Sequence, residues 1–304
     1  MIKQQNSEKE TQFLFFGGKG GVGKSTLAAA TALWYAEQGY KTTIISTDPT
    51  VSLSALFNQT IHGHHKTTIN EVPNLCGLNI NPKDAKGLYQ ERLNSMMGQM
   101  TGTFGKDVIS TPCMEEMATF DQFVEHLQYP DSDIVVFDTA PTGKTLRELA
   151  MPFDWAGFLK NQLTEGKELA KIMEIDDDVF ADLERDKKRF DDAMAILKDP
   201  QRTNFQLILL PERLPIEETQ SAIEGLDLLG IPVQNLIVNQ VIPQEVIMEN
   251  EFLKRRSGMQ AGFLEEINKR FQNKQLMMLP QLMQDVSTLE GLRVVGKLMY
   301  GGNV

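Results

Sequence analysis

Short apolar runs recur along this chain, and most are followed by stretches in which apolar residues return every three or four positions. The runs are FLFFGG (13–18), TTIIST (42–47), GLNINP (77–82), DIVVFDTAP (133–141), FQLILLP (205–211) and PVQNLIVNQ (232–240). Runs so rich in Val, Ile, Leu and Phe predict strands buried on both faces, hence an α/β fold with a mostly parallel sheet flanked by helices. The alternation breaks at about 85–128 and 150–200, where one helical pattern follows another with no strand between. Helical insertions at one edge of a single domain spanning 1–304 are expected there. In the first, Tyr89, Leu93, Met96, Met97 and Met100 keep helical spacing, as do Met114, Met117, Phe120, Val124 and Leu127. In the second, EIDDDVFADLERDKKRFDD (174–192) reads as a solvated helix with one packed face.

Composition narrows the function classes. With 304 residues the chain can bury a full core and act as an enzyme by itself. A net charge of −11, with no basic tract longer than a triplet such as KRR at 254–256, argues against nucleic acid as a partner. Cys76 and Cys113 lie far apart, so neither a disulfide framework nor a zinc site within one chain is expected, and a reducing compartment fits best. The polar start MIKQQNSEKETQ is unlike a signal peptide, and no apolar run approaches the roughly 18 residues of a spanning helix. A cytoplasmic protein is expected, peripheral to a membrane only through a partner.

The chemistry concentrates in FFGGKGGVGKSTLAAA (15–30). Gly18 to Ser25 fits G-x-x-x-x-G-K-[ST], after a strand and opening a helix, which is the setting a phosphate-binding loop requires. Gly18, Gly20, Gly21 and Gly23, with Val22 between them, let backbone N–H groups close around phosphate oxygens at a helix N-terminus. Lys24 is expected to reach the β- and γ-phosphates of ATP, Ser25 to ligate Mg²⁺ and Thr26 to donate to the α-phosphate. Lys19 is a second cation, at the mouth of the loop, placed too early in the turn to fold back comfortably onto the same nucleotide; a solvated surface lysine is the alternative. Asp48, where the second strand ends, is placed to orient and deprotonate a water attacking the γ-phosphate, unless it only caps a turn. Asp138, after four apolar residues, stands where a carboxylate holds Mg²⁺ through water. Thr139 to Thr145 reads as a γ-phosphate sensor loop.

Together KGGVGKST, STDPTVSLS (46–54), DTAPTGKTLR (138–147) and VNQ (238–240) are similar to the ArsA/Get family of arsenical pump-driving and tail-anchored-protein targeting ATPases. The resemblance runs from Phe13 to about Gly301 and implies a P-loop ATPase with a deviant Walker A loop. It implies that Lys19 crosses a dimer interface to the partner's nucleotide, like an arginine finger in trans, and so implies a homodimer. It also implies that Asn239 and the LPQL segment around Pro280 face adenine and that Pro211 and Glu212 lie near the partner nucleotide. The chain departs from the family in carrying Val51 and Lys144 where histidines are usual. It also carries Asn250 and Leu253 where the eukaryotic targeting ATPases have zinc-binding cysteines.

Two clients follow. Arsenite or antimonite, delivered to a membrane efflux permease, would favour thiolates, and the resemblance of TPCMEEMATFDQF (111–123) to the pump ATPases makes Cys113 the candidate ligand. A water, chloride or His126 would have to complete its shell; an inert cysteine is the alternative. A hydrophobic helix of a tail-anchored protein, handed to a membrane receptor, would instead use the methionine-rich helices, unless that stripe is ordinary core.

Overall fold

The computed structural model describes residues 10–47, 53–63, 65–80, 87, 114–128, 130–139, 181–247 and 250–302. Asp48, Val51, Cys113 and Lys144 lie outside the described residues, as do most of both expected insertions. In chain order the elements are β1 (Gln12–Gly18), α1 (Lys24–Glu37), β2 (Thr42–Ser46), α2 (Leu53–Leu56), β3 (Thr67–Ile69), β4 (Val72–Asn79) and α3 (Met114–Gln128). There follow β5 (Ile134–Asp138), α4 (Ala181–Lys198), β6 (Thr203–Leu209), α5 (Arg213–Leu228), β7 (Val233–Val241), α6 (Glu251–Arg270), β8 (Gln275–Pro280) and α7 (Leu289–Tyr300).

The strands form one sheet in the order β3-β4-β2-β5-β1-β6-β7-β8, parallel throughout except for the β3/β4 hairpin. The expected α/β architecture is present, with adjustments. The run at 77–82 is the tail of a strand that starts at Val72, and β3 and β8 were not among the predicted strands. β8 is Met-rich, half-exposed and at the sheet edge, so it lacks the buried β-branched signature of the central strands.

β1 is central because both of its faces are apolar. Phe13 and Phe15 enter one core layer, with Phe123 of α3, Phe190 of α4 and Ile216 of α5. Leu14 and Phe16 enter the other, with the alanine-lined face of α1 and with Leu292 and Val295 of α7. Phe15 is in register with Phe137 on β5 and Phe205 on β6. The three rings stack at 4.7 Å and 4.4 Å between centroids, tilted by only 3° and 9°. Phe123 closes the stack from α3, 4.6 Å from Phe137.

The described parts of the two expected insertions are helices, α3 and α4, and they are tied to each other. Arg189 reaches from α4 to the Asp121 carboxylate and donates to the Asp121 carbonyl at 2.9 Å, with both side chains only 11% exposed. Gln128 Nε2 donates to the Arg189 carbonyl at 2.6 Å. The packed face expected on α4 is formed by Phe190, Ala193, Met194 and Leu197.

Candidate functional site

At the end of β1 the chain passes so close to β6 that only glycine fits. A Cβ on Gly18 would stand 2.4 Å from the Ile208 carbonyl oxygen, and its φ is +147°. The loop then turns through Gly21 and Gly23, both with positive φ, into α1. Gly23 caps that helix without a side chain, and the first turn holds no acid. Gly23 therefore offers the first N–H groups of α1 no side-chain acceptor, and no acid of the helix's own first turn opposes the positive end of its dipole. Side chains built on Gly20 or Gly21 would meet nothing within 4 Å, so the loop is open on its outer side.

The two lysines of this loop diverge. Lys24 is buried, and its Nζ donates across the loop to the Lys19 carbonyl at 3.2 Å. Lys19 leaves the mouth in the other direction, and its Nζ donates to Glu218 Oε1 of α5 at 2.8 Å, with the side chains 39% and 46% exposed. Ser25 is buried at the second position of α1.

The neighbouring strand end is closely knit. Asp138 has no exposed surface, and its Oδ2 accepts from Ser46 Oγ at 3.2 Å. Thr47 N donates to the Asp138 carbonyl at 3.0 Å, and Thr139 Oγ1 donates to the Phe16 carbonyl at 2.8 Å. Of the expected sensor loop, only Thr139 is among the described residues.

A cleft of about 330 Å³ opens on the other side of α1, lined by Gly23, Thr26, Leu27, Asn239, Leu279 and Pro280 among others. The structure thus brings four residues named from sequence, Gly23, Thr26, Asn239 and Pro280, to one cavity. Asn239 Nδ2 donates to the Val22 carbonyl at 2.9 Å, which fixes the loop from outside, and Asn239 Oδ1 accepts from Gln240 N at 2.9 Å. Gln240 has φ +58°, a left-handed backbone uncommon for a residue with a Cβ, and the β7–β8 pairing shifts register there. Gln260 of α6 clasps this bulge, donating from Nε2 to the Gln240 carbonyl at 3.1 Å and accepting at Oε1 from Ile242 N at 2.9 Å. Gln240 and Gln260 had no assigned role in the sequence.

Pro211 and Glu212 line a second cleft of about 210 Å³ with Arg256, Met259 and Phe263, and Arg256 donates to Glu212 at 3.0 Å. Asn250 caps α6 by accepting from Phe252 N and Leu253 N. Cys76 sits on β4 with its Sγ 3.8 Å from Thr68 Oγ1. His126 has its pKa pushed down to about 4 by burial and by the Lys66 ammonium, although Asp131 acts the other way. Among the described residues no group of three or more His, Cys, Asp or Glu is arranged to hold a metal ion, and no helix is long and apolar enough to cross a membrane.

The family model that matches this chain, over residues 11–301, is described as anion-transporting ATPase. A Halobacterium salinarum protein named as a candidate arsenical pump-driving ATPase is 37% identical over 99% of this chain, which spans 45% of that protein. An Aquifex aeolicus protein with a similar name is 32% identical over 94% of this chain and 98% of its own length. A Paramecium tetraurelia protein named ATPase ASNA1 homolog 1 is 29% identical over 98% of this chain and 95% of its own length. The chain therefore spans less than half of one of these relatives and nearly all of the other two.

Proposed function

The chain belongs to the anion-transporting ATPase family, and from that premise we propose that it is a homodimeric Mg-ATP hydrolase in which closure of two copies around ATP is coupled to a client. The observation that carries this reading is the divergence of the loop lysines. Lys24 is turned into its own loop, and Lys19 is turned out of it. One cation serves the phosphates held by the glycine loop and the first turn of α1, and the other, held outside the loop by Glu218, is placed to serve a second copy's nucleotide.

In this reading Gly18, Gly20, Gly21, Val22 and Gly23 supply N–H donors, and Lys24 neutralises the β- and γ-phosphates. Thr26 donates to the α-phosphate, and the base lies against Asn239 and Pro280. Ser25 and, through water, Asp138 would hold Mg²⁺; buried oxygen donors suit this hard cation, which when bound screens the phosphate charge. Asp48 orients and deprotonates the attacking water, while Lys19 of the other copy stabilises charge on the leaving phosphates.

The client we favour is arsenite or antimonite, bound through Cys113 and delivered to a membrane efflux partner of this cytoplasmic ATPase. The names of the Halobacterium and Aquifex relatives support that reading. A specific observation favours the second reading, an ATP-dependent chaperone targeting tail-anchored membrane proteins. Metalloid sites need several thiolates, and this chain has two cysteines, of which Cys76 lies in a strand.

Mixing tests the lysine. Subunits carrying Lys19→Ala, combined with subunits carrying Asp48→Asn, are expected to regain one working site per heterodimer. Purely additive loss would place Lys19 on its own nucleotide and remove the trans mechanism. Antimonite is expected to raise ATPase turnover, with the rise lost in Cys113→Ser. No response to antimonite, together with a hydrophobic helix co-purifying with the ATP-bound dimer, would replace the metalloid with the protein client.

A further inference from the structure

Lys19 does not point into solvent. Its ammonium is held at 2.8 Å by Glu218, one turn and a half into α5 and 199 residues away in sequence. The contact is selective, because the adjacent carboxylate, Glu217, is engaged elsewhere, at 3.0 Å from Arg270 of α6. The loop around Lys19 leaves this side chain a choice. Its outer side is open at Gly20 and Gly21, and its inner side already holds the Lys24 ammonium against the Lys19 carbonyl.

We propose that Glu218 is the resting partner of Lys19: a positioning residue that holds the ammonium while the subunit is alone and releases it to the nucleotide of a second copy. This rests on the reading that Lys19 acts in trans. The carboxylate and the partner's phosphates compete for one cation, so the pair is a tether that subtracts from the closed dimer. Because the pair is exposed, the tether is weak enough to be displaced, and it weakens further with salt.

The test is the concentration of full-length protein at which half is dimeric with Mg²⁺ and a non-hydrolysable ATP analogue, read by sedimentation velocity at low salt. Glu218→Gln keeps the size and removes the charge. It should lower that midpoint by about 1.4- to 5-fold for each of the two pairs released. The gain should shrink as ionic strength rises. Glu217→Gln, the same charge change one residue away, should leave the midpoint where it was. In a Lys19→Ala background, Glu218→Gln should have no effect, because no ammonium is left to tether. An unchanged or raised midpoint in Glu218→Gln, an equal gain in Glu217→Gln, or a gain that survives Lys19→Ala would each overturn the role of Glu218. Lys19→Ala alone separates the two readings. If it leaves dimerisation and turnover intact, the trans lysine is lost. If it impairs them while Glu218→Gln is silent, only the tether is lost.

Discussion

Replacing Gly23 with alanine should strain the loop in two separable ways. The backbone there has φ +99°, and holding an L-residue in left-handed space costs about 1–2 kcal/mol. The new Cβ would also stand 2.6 Å from Asn239 Nδ2. To admit it, the amide must swing away and give up its 2.9 Å hydrogen bond to the Val22 carbonyl, worth about 0.5–1.5 kcal/mol. Gly23→Ala should therefore lose about 2–3 kcal/mol in urea unfolding followed by circular dichroism. Asn239→Ala removes the obstructing amide. In that background Gly23→Ala should cost only the torsional part, so the double variant should be about 1 kcal/mol more stable than the sum of the singles predicts. Nucleotide binding should behave differently. The stabilisation conferred by Mg-ATP should fall in Gly23→Ala and stay low in the double variant, because Asn239 itself lines the cleft. Additivity of the two substitutions within about 0.4 kcal/mol would refute the steric account, and a Gly23→Ala variant as stable as the parent would refute both terms.

Lys24→Ala should abolish Mg-ATP turnover with the fold intact, since backbone dipoles do not replace the buried ammonium; normal turnover in a coupled phosphate-release assay would remove the loop assignment. Arg189→Ala should lose roughly 1.5–3 kcal/mol in urea, because it removes a largely buried, charge-assisted contact between α3 and α4, and a loss under about 1 kcal/mol would show that the pair is solvated. His126 has a folded pKa of about 4, below the roughly 6.5 of an unfolded chain. Its contribution is complete above about pH 6.5 and is lost as the pH falls from there towards 4, by at most roughly 3 kcal/mol. His126→Gln should flatten the difference between urea midpoints at pH 7 and pH 5, and an undiminished difference would assign it to other groups.

The parts of the site that the sequence announces are local ones. Gly18 to Ser25 carries its own turn, cation and helix start within eight residues, so spacing alone locates it, and β1, β5 and β6 announce themselves through apolar runs buried on both faces. What was hidden depends on pairs distant in sequence. Nothing near Lys19 marks Glu218 as its partner, and nothing in VNQV marks the left-handed turn at Gln240 that Gln260 holds from α6. β3 escapes because three residues make no pattern, and β8 because a half-exposed edge strand need not alternate or branch.

The stacked rings of Phe15, Phe137 and Phe205 have a mechanical consequence. They lie on the three strands that end at the phosphate loop, at Asp138 and just before Pro211. Sliding any of these strands by one residue would displace its ring by about 3.3 Å and turn it to the opposite face. The three ends therefore keep a fixed spacing, and the sheet is stiff where the nucleotide would press on it. Phe123 rests on the same stack from α3, and Arg189 ties α4 to α3, so the two helices share one footing on the strands whose ends form the site.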